Sequence, residues 1–358
     1  LPKRLANFNS LFDRMKNTAF YLGLLALLAC TIIISLGMGA LHIPFFEVVR
    51  LLFQPFSKLP LTEDDTLLRN VLMEIRVPRI LFCTLIGAVL GITGTAIQGI
   101  FRNPLAEPGL IGISAGASFF AALSIVFETS LIALLGTAVS LYLLSFSAFI
   151  GAVIAVIVVF TISVVNGKSN IATMILAGIA INALAGAATG LMSYMASEQQ
   201  LRNITFWSLG SMAGATWDSA KVLAVISISA VIPLLFFGKS LNLFSLGESQ
   251  AEMMGVSTRR LKIWVVLFST LAVGVSVAFS GIIAFVGLLV PHTLRLIGTV
   301  DNRFLLPASL IAGAIVLNLA DLLARTIIQP LELPIGVVTA LVGAPVFLAI
   351  LIREKRKL

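Results

Sequence analysis

Side chains able to do covalent or proton-transfer chemistry are few in this sequence and poorly spaced for it. Of its 358 residues only two are histidines, His42 and His292, and only two are cysteines, Cys30 and Cys83, each cysteine inside an apolar run. No C-x-x-C, no Cys/His cluster and no Ser/His/Asp set can be assembled from them, so disulfide, zinc and hydrolytic readings fall together. Gly167-Lys168-Ser169 has the ending of a phosphate-binding loop, but Ile162 stands where that motif needs its first glycine, and an apolar helix end flanks it rather than a strand. The chain is expected to be no enzyme, to hold no metal or cofactor, and to bind no ATP itself.

The informative polar groups lie at helical spacing within apolar sequence. Small residues recur every fourth position at Gly87, Gly91, Thr95 and Gly99, and again at Gly178, Asn182, Gly186 and Gly190. Each set makes one stripe on a helix, suited either to close helix packing or to the wall of a pathway. Gln98, Asn182 and Asn318 put amides into apolar surroundings, where each needs a partner helix or a wet cavity. Arg102-Asn103-Pro104-Leu105-Ala106-Glu107-Pro108 stops one helix and starts another, a rigid turn that sets Asn103 and Leu105 at the mouth of the first stripe. Arg76-Val77-Pro78-Arg79 opens a helix with charge that opposes the macrodipole, so a carboxylate partner is expected; Arg325 adds a third charge, unless Asp321, one turn earlier, takes it. Between Lys239 and Lys262 a short helix is expected. Gly247, Ala251 and Gly255 would leave it a shallow face, and Glu248 and Glu252 an acidic one, a form suited to a partner's groove.

The elements that must position these residues follow from composition. Hydrophobic residues make up 59% and charged residues 11% of the chain, against about 25% charged in soluble domains. Most of the apolar excess must face lipid, so the fold expected is an all-α integral membrane protein forming a single domain over 1–358. Ten segments are long and apolar enough to count as spans, near 18–41, 77–101, 109–127, 131–165, 170–196, 217–238, 260–283, 284–297, 304–328 and 335–352. The fourth is overlong and the eighth short. With the N-terminus inside, ten crossings place 16 of the 24 basic residues and 6 of the 16 acidic ones on the cytoplasmic side, and both termini there. The basic excess is thus a membrane-topology signal and implies no nucleic acid. The first apolar run is twice the length of a signal-peptide core and reads as a retained anchor. An ion-driven secondary transporter is the rival class, and it would need acidic residues at mid-membrane; Asp321 lies near a helix end, and Glu107, Glu248 and Glu252 lie in loops.

Five ordered blocks resemble one family, the FecCD-type permeases of binding-protein-dependent ABC importers for siderophores, haem and vitamin B12. They are R-V-P-R at 76–79, Q-G-I-F-R-N-P-L-A-E-P-G-L-I-G at 98–112, the L-G-E loop with its M-G end at 246–255, F-V-G-L-L-V-P-H-T-L-R at 285–295, and A-D-L-L-A-R-T-I-I-Q-P-L-E-L-P-I-G at 320–336. The resemblance implies a type II importer fold of about ten helices in the bacterial cytoplasmic membrane. It also implies a second copy of the chain, two ATPase subunits that use ATP and Mg, and a periplasmic or lipid-anchored binding protein. By the same token Arg76, Arg79 and Arg325 would receive binding-protein glutamates. Residues 240–260, with Gly247, Glu248, Ala251, Glu252 and Gly255, would meet the ATPase. Gln98, Asn103, Leu105, Ile171, Ala172 and Asn182 would line the path and its gate. Within the family the chain is most similar to the haem permeases, on T-F-W-S-L-G-S-M-A-G-A-T-W at 205–217 and the 334–348 stretch; a ferric siderophore or vitamin B12 is the alternative cargo.

Overall fold

The computed structural model describes residues 2–39, 41–53, 62–136, 140, 142–165 and 168–355, the side chains of 2–17, 135, 165, 168 and 353–355 excepted. Parts of the expected spans at residue 40 and at 137–139 and 141, and the basic tail beyond 355, lie outside these described residues.

Helices account for nearly all of the described backbone. In chain order they are α1 Pro2–Gly37, α2 Phe45–Phe53, α3 Glu63–Asn70, α4 Val77–Phe101, α5 Ile113–Val126, α6 Glu128–Leu135, α7 Leu143–Ser163, α8 Ile171–Met195, α9 Glu198–Leu209, α10 Trp217–Phe236, α11 Gly238–Ser245, α12 Glu248–Met253, α13 Thr258–Ser280, α14 Val286–Ile297, α15 Asn302–Ala324 and α16 Ile335–Lys355. Two-residue strands Val164–Val165 and Lys168–Ser169 pair before α8. A π-helical turn, Val71–Arg76, joins α3 to α4, so Glu63–Phe101 runs as one continuous helix of 39 residues whose apolar stretch lies in its α4 part.

Each of the ten expected spans contains a helix. Among the described residues eight helices have the length and apolarity to cross a membrane. A ninth crossing is made only by joining α5 to α6 across an 82° bend, and α14 is a shorter apolar helix of 12 residues. The expected 131–165 span is corrected. Its first part belongs to α6, which ends where Gly136 takes φ +90°, and only α7 continues the crossing. The apolar run there carries no charge or proline to mark the break, and glycine alone supplies the left-handed turn.

Packing is organised round α4. In Glu63–Phe101 78% of the apolar stretch is buried, against 22% in both Ile171–Met195 and Ile335–Ile352. The α4 stripe is a packing seam. A Cβ on Gly91 would come within 2.0 Å of Ser309 O on α15, so only glycine allows this approach, and Thr95 Oγ1 donates across the seam to Ser309 Oγ at 2.7 Å. The α8 stripe divides. Gly178 meets Leu110 O as closely as Gly91 meets Ser309, whereas a Cβ on Gly186 or Gly190 would meet nothing within 4 Å.

Candidate functional site

A cavity of about 480 Å³ lies where the open part of the α8 stripe faces α5, α13 and the segment before α14. Apolar residues such as Leu90, Val273 and Phe285 line it, together with Glu107, Ser114, Ser118, Asn182 and Thr189. Asn182 Nδ2 donates to Gly109 O at 3.2 Å, while its Oδ1 is buried without a hydrogen-bond partner. A bound molecule with an N–H or O–H could satisfy that oxygen. Burial pushes the Glu107 carboxyl above the usual carboxylate range. Sequence reading assigned Glu107 to a turn and passed over Ser114, Ser118 and Thr189. The four-residue spacing of the two serines was the available signal, one helix face carrying two hydroxyls.

Gln98 is buried outside this cavity. Its Nε2 donates to Leu288 O at 3.4 Å and its Oε1 accepts from Arg295 Nη1, so it anchors α14 against α4. Both ends of the Gln98 amide are thus taken up by a neighbouring helix. Asn318 likewise donates to Thr84 Oγ1 at 3.0 Å and to Ala314 O.

At the α12 end of the bundle, Asn103 Oδ1 accepts from Leu105 N at 2.9 Å and fixes the turn after α4, leaving Leu105 partly exposed. Ile171 and Ala172 begin α8, whose cap is Asn170 accepting from Thr173 N. With Phe101, Arg102, Ser169 and Glu248 they line a second cavity of about 600 Å³, which Asn103 and Leu105 do not reach.

The short helix expected between Lys239 and Lys262 is α12, but its small-residue face is not the open one. Gly247 (φ +119°) and Gly255 (φ +86°) are turns bounding a six-residue helix, and Ala251 is buried against the bundle. Glu248 Oε2 lies 2.9 Å from Lys262 Nζ, and Thr258 Oγ1 donates to Glu252 Oε1 at 2.6 Å. Lys262 is only 2% exposed, and its ammonium also donates to Ser169 O. One buried cation therefore ties α12 to the residues just before α8. The surface left to solvent is mixed, with Leu246, Met253 and Met254 exposed beside Ser249, Gln250 and Glu252, Met253 by 80%. Sequence spacing did not reveal Lys262, because its partners stand 14 and 93 residues away.

At the opposite end Arg76, Arg79 and Arg325 are all buried, and carboxylates and carbonyls of this chain meet their guanidinium groups. Arg79 Nε and Nη2 each reach Asp321 Oδ1 at 2.9 Å, and Nη1 is bidentate to Glu332 at 2.8 Å. Arg325 Nε lies 3.2 Å from Asp321 Oδ2, and its other nitrogens donate to Met38 O and Ser35 O at 3.0 and 2.8 Å. Arg76 donates to Leu36 O and Leu41 O. The carbonyls closing α1 lack intrahelical partners and carry the negative end of its dipole, so cations gather there. Internal carboxylates neutralise the rest, and the expected Asp321–Arg325 pair forms as part of a larger network.

A model of the FecCD transport family matches residues 27–353. The chain is 40% identical over 334 residues to the hemin transport system permease protein HmuU of Yersinia pestis, covering 92% of this chain and 95% of that one. It is also 40% identical over 282 residues to the vitamin B12 import system permease protein BtuC of Photorhabdus laumondii, covering 79% and 82%. Among solved structures, one assigned to a metal-chelate type ABC transporter in an inward-facing conformation superposes with a TM-score of 0.78 at 32% identity, covering 94% of this chain and 99% of that one. A multi-pass helical membrane protein that carries this family's pattern over nine-tenths of its length, the chain belongs to the FecCD transport family.

Proposed function

We propose that this chain is the membrane permease subunit of an ATP-driven importer and that its cargo is haem. The observation that carries the reading is the 40% identity to a hemin permease along almost the full length of both chains. The α8 cavity supports it, since apolar walls with sparse amide and hydroxyl groups suit a flat hydrophobic macrocycle better than a hydrated ion. The equal identity to a vitamin B12 permease favours cobalamin as the second reading, and a ferric siderophore is a third. An ion-coupled transporter fits less well, because Asp321 is at a helix end and committed to two arginines.

The permease pairs with a second copy, and α8 and α16, mostly unburied within the chain, supply faces for it. Two cytoplasmic ATPase subunits, using ATP and Mg, dock on the α12 surface, where Leu246, Met253 and Met254 are presented by the Gly247 and Gly255 turns. Glu248 and Ala251 hold that surface from behind, and Glu252 is exposed within it. When ATP binding shifts α12, Lys262 passes the displacement to Ser169 and so to the start of α8, where Ile171 and Ala172 close the path together with Asn103 and Leu105 of the turn after α4. Asn182 lines the path farther in, and Gln98 holds α14 beside it. A periplasmic or lipid-anchored binding protein docks over the arginine cluster. There Arg76, Arg79 and Arg325 set the shape from beneath, and Glu332, its side chain 43% exposed, reaches the surface. Charge sorting supports a bacterial cytoplasmic membrane location with both termini cytoplasmic.

Purification from native membranes in mild detergent tests the assembly. An ATPase subunit is expected to co-purify and to be lost on Met253→Asp/Met254→Asp substitution; a chain that brings no ATPase with it contradicts the reading.

A further inference from the structure

We infer that α2 is an interfacial helix whose outer face is seated in the lipid at the membrane boundary. Nine residues, Phe-Phe-Glu-Val-Val-Arg-Leu-Leu-Phe, make it up, and its apolar residues share one broad arc, of which one side is buried and the other bare. At 3.6 residues per turn, Leu51, Val48 and Leu52 share one face and Phe45, Val49, Phe53 and Phe46 the other. The first face packs inward. Val48 and Leu51 are buried in a cluster with Leu36, Ile43, Leu72 and Ile80, and Leu52 lies against it. The second is bare, with Phe46 85% and Phe53 63% exposed. Glu47 and Arg50 lie along the strip between the faces, where Arg50 pairs with Glu47 and with Asp65 near the start of α3.

The depth of this helix follows from what it packs on. The apolar part of α1, Thr18–Gly37, has 20 residues, about 30 Å of helix, which matches the hydrocarbon thickness. Leu36 is therefore at the hydrocarbon boundary, and so is Ile80 in the first turn of α4. A helix wedged against both lies at that level, in the plane of the interface. The neighbouring chain is bare in the same way, with Ile33 and Ile34 exposed on α1 and Met38 and Leu41 exposed just after it. Three phenylalanines on a short amphipathic helix at this depth gain by insertion beneath the headgroups, whereas water would leave them a costly patch. Because Arg76 donates to the carbonyls of Leu36 and Leu41, this lipid contact bears on the same chain segment that the arginine cluster holds.

Nitroxide accessibility in nanodiscs of phosphatidylcholine and phosphatidylglycerol tests this. The label is placed on Phe46→Cys or Phe53→Cys in a Cys30→Ser/Cys83→Ala chain, with Glu198→Cys on the exposed start of α9 as the aqueous reference. Collision with oxygen is expected to exceed collision with a water-soluble nickel chelate several-fold at 46 and 53, and the order to reverse at 198. Water-like accessibility at 46 and 53 overturns the inference, as does protection from both reagents, which would mean cover by a second copy or another protein. A photoreactive benzoylphenylalanine at position 46 of the otherwise native chain provides a second measurement. It is expected to form phospholipid adducts, and adducts with protein alone overturn the inference.

Discussion

Lys262 shows how a residue's role depends on partners distant in sequence. Its ammonium holds Glu248 and Ser169 O together at 2% exposure. Breaking a fully buried ion pair costs about 3–5 kcal/mol, and the 34% exposure of the Glu248 side chain places this one below that range. Lys262→Met is therefore expected to lower the melting temperature modestly and to cut transport per ATP by about tenfold, the equivalent of about 1.4 kcal/mol of coupling. Equal losses of transport and hydrolysis would contradict the coupling role. Asp301, at the start of α15, gives a pH test. Hydrogen bonds from Arg303, then Asn242, hold its carboxyl at about 2, below the unfolded value of about 3.9. The stability this contributes is complete above about pH 4 and is lost as the pH falls toward 2. The melting-temperature gap between the native chain and Asp301→Asn should thus be level from pH 7 to pH 5 and close below pH 4; a gap unchanged at pH 3 contradicts it. Individual residues were legible from sequence only where partners are local. The Asp321–Arg325 pair could be read at one-turn spacing, but Glu332 and the α1 carbonyls, 253 and 40 residues from the arginines they meet, could not.

At the scale of elements, two stripes of small residues with the same four-residue period have different uses. The α4 stripe is a seam against α15 and the α8 stripe is half open, and only the neighbour decides which. Adding a methyl at Gly91 drives it into Ser309 O, so Gly91→Ala should destabilise by about 1–3 kcal/mol, the usual cost of overpacking. Gly186→Ala has free space and should leave stability unchanged, whereas Gly186→Phe should slow transport by filling the cavity. Thermal melting and uptake rates on the three variants check this; equal destabilisation at 91 and 186 would contradict the distinction. Sequence located every helix that matters for the site, because apolar length and proline punctuation are local properties. It missed the break at Gly136, where a lone glycine in an apolar run takes a positive φ, and the inward turn of Ala251, which is set by tertiary contacts.

Over the whole molecule, the balance of 24 basic and 16 acidic residues resolves into separate uses. Basic residues crowd the α12 end and the termini, while at the far end arginines are drawn inward to close α1 and carboxylates answer them. Between these ends the described spans hold hydroxyls and amides rather than acids, and the central cavity adds to them only the Glu107 carboxyl from the turn before α5. This distribution suits a protein that moves a large, weakly polar cargo on energy supplied by another subunit. The central claim is tested most directly by uptake into proteoliposomes containing the permease with its ATPase subunits and cognate binding protein, offered haem, a ferric siderophore or cobalamin. ATP-dependent accumulation of haem in preference to the other two is the expected result. Accumulation of cobalamin or siderophore without haem would overturn the cargo, and no ATP-dependent uptake of any of the three would contradict the importer itself.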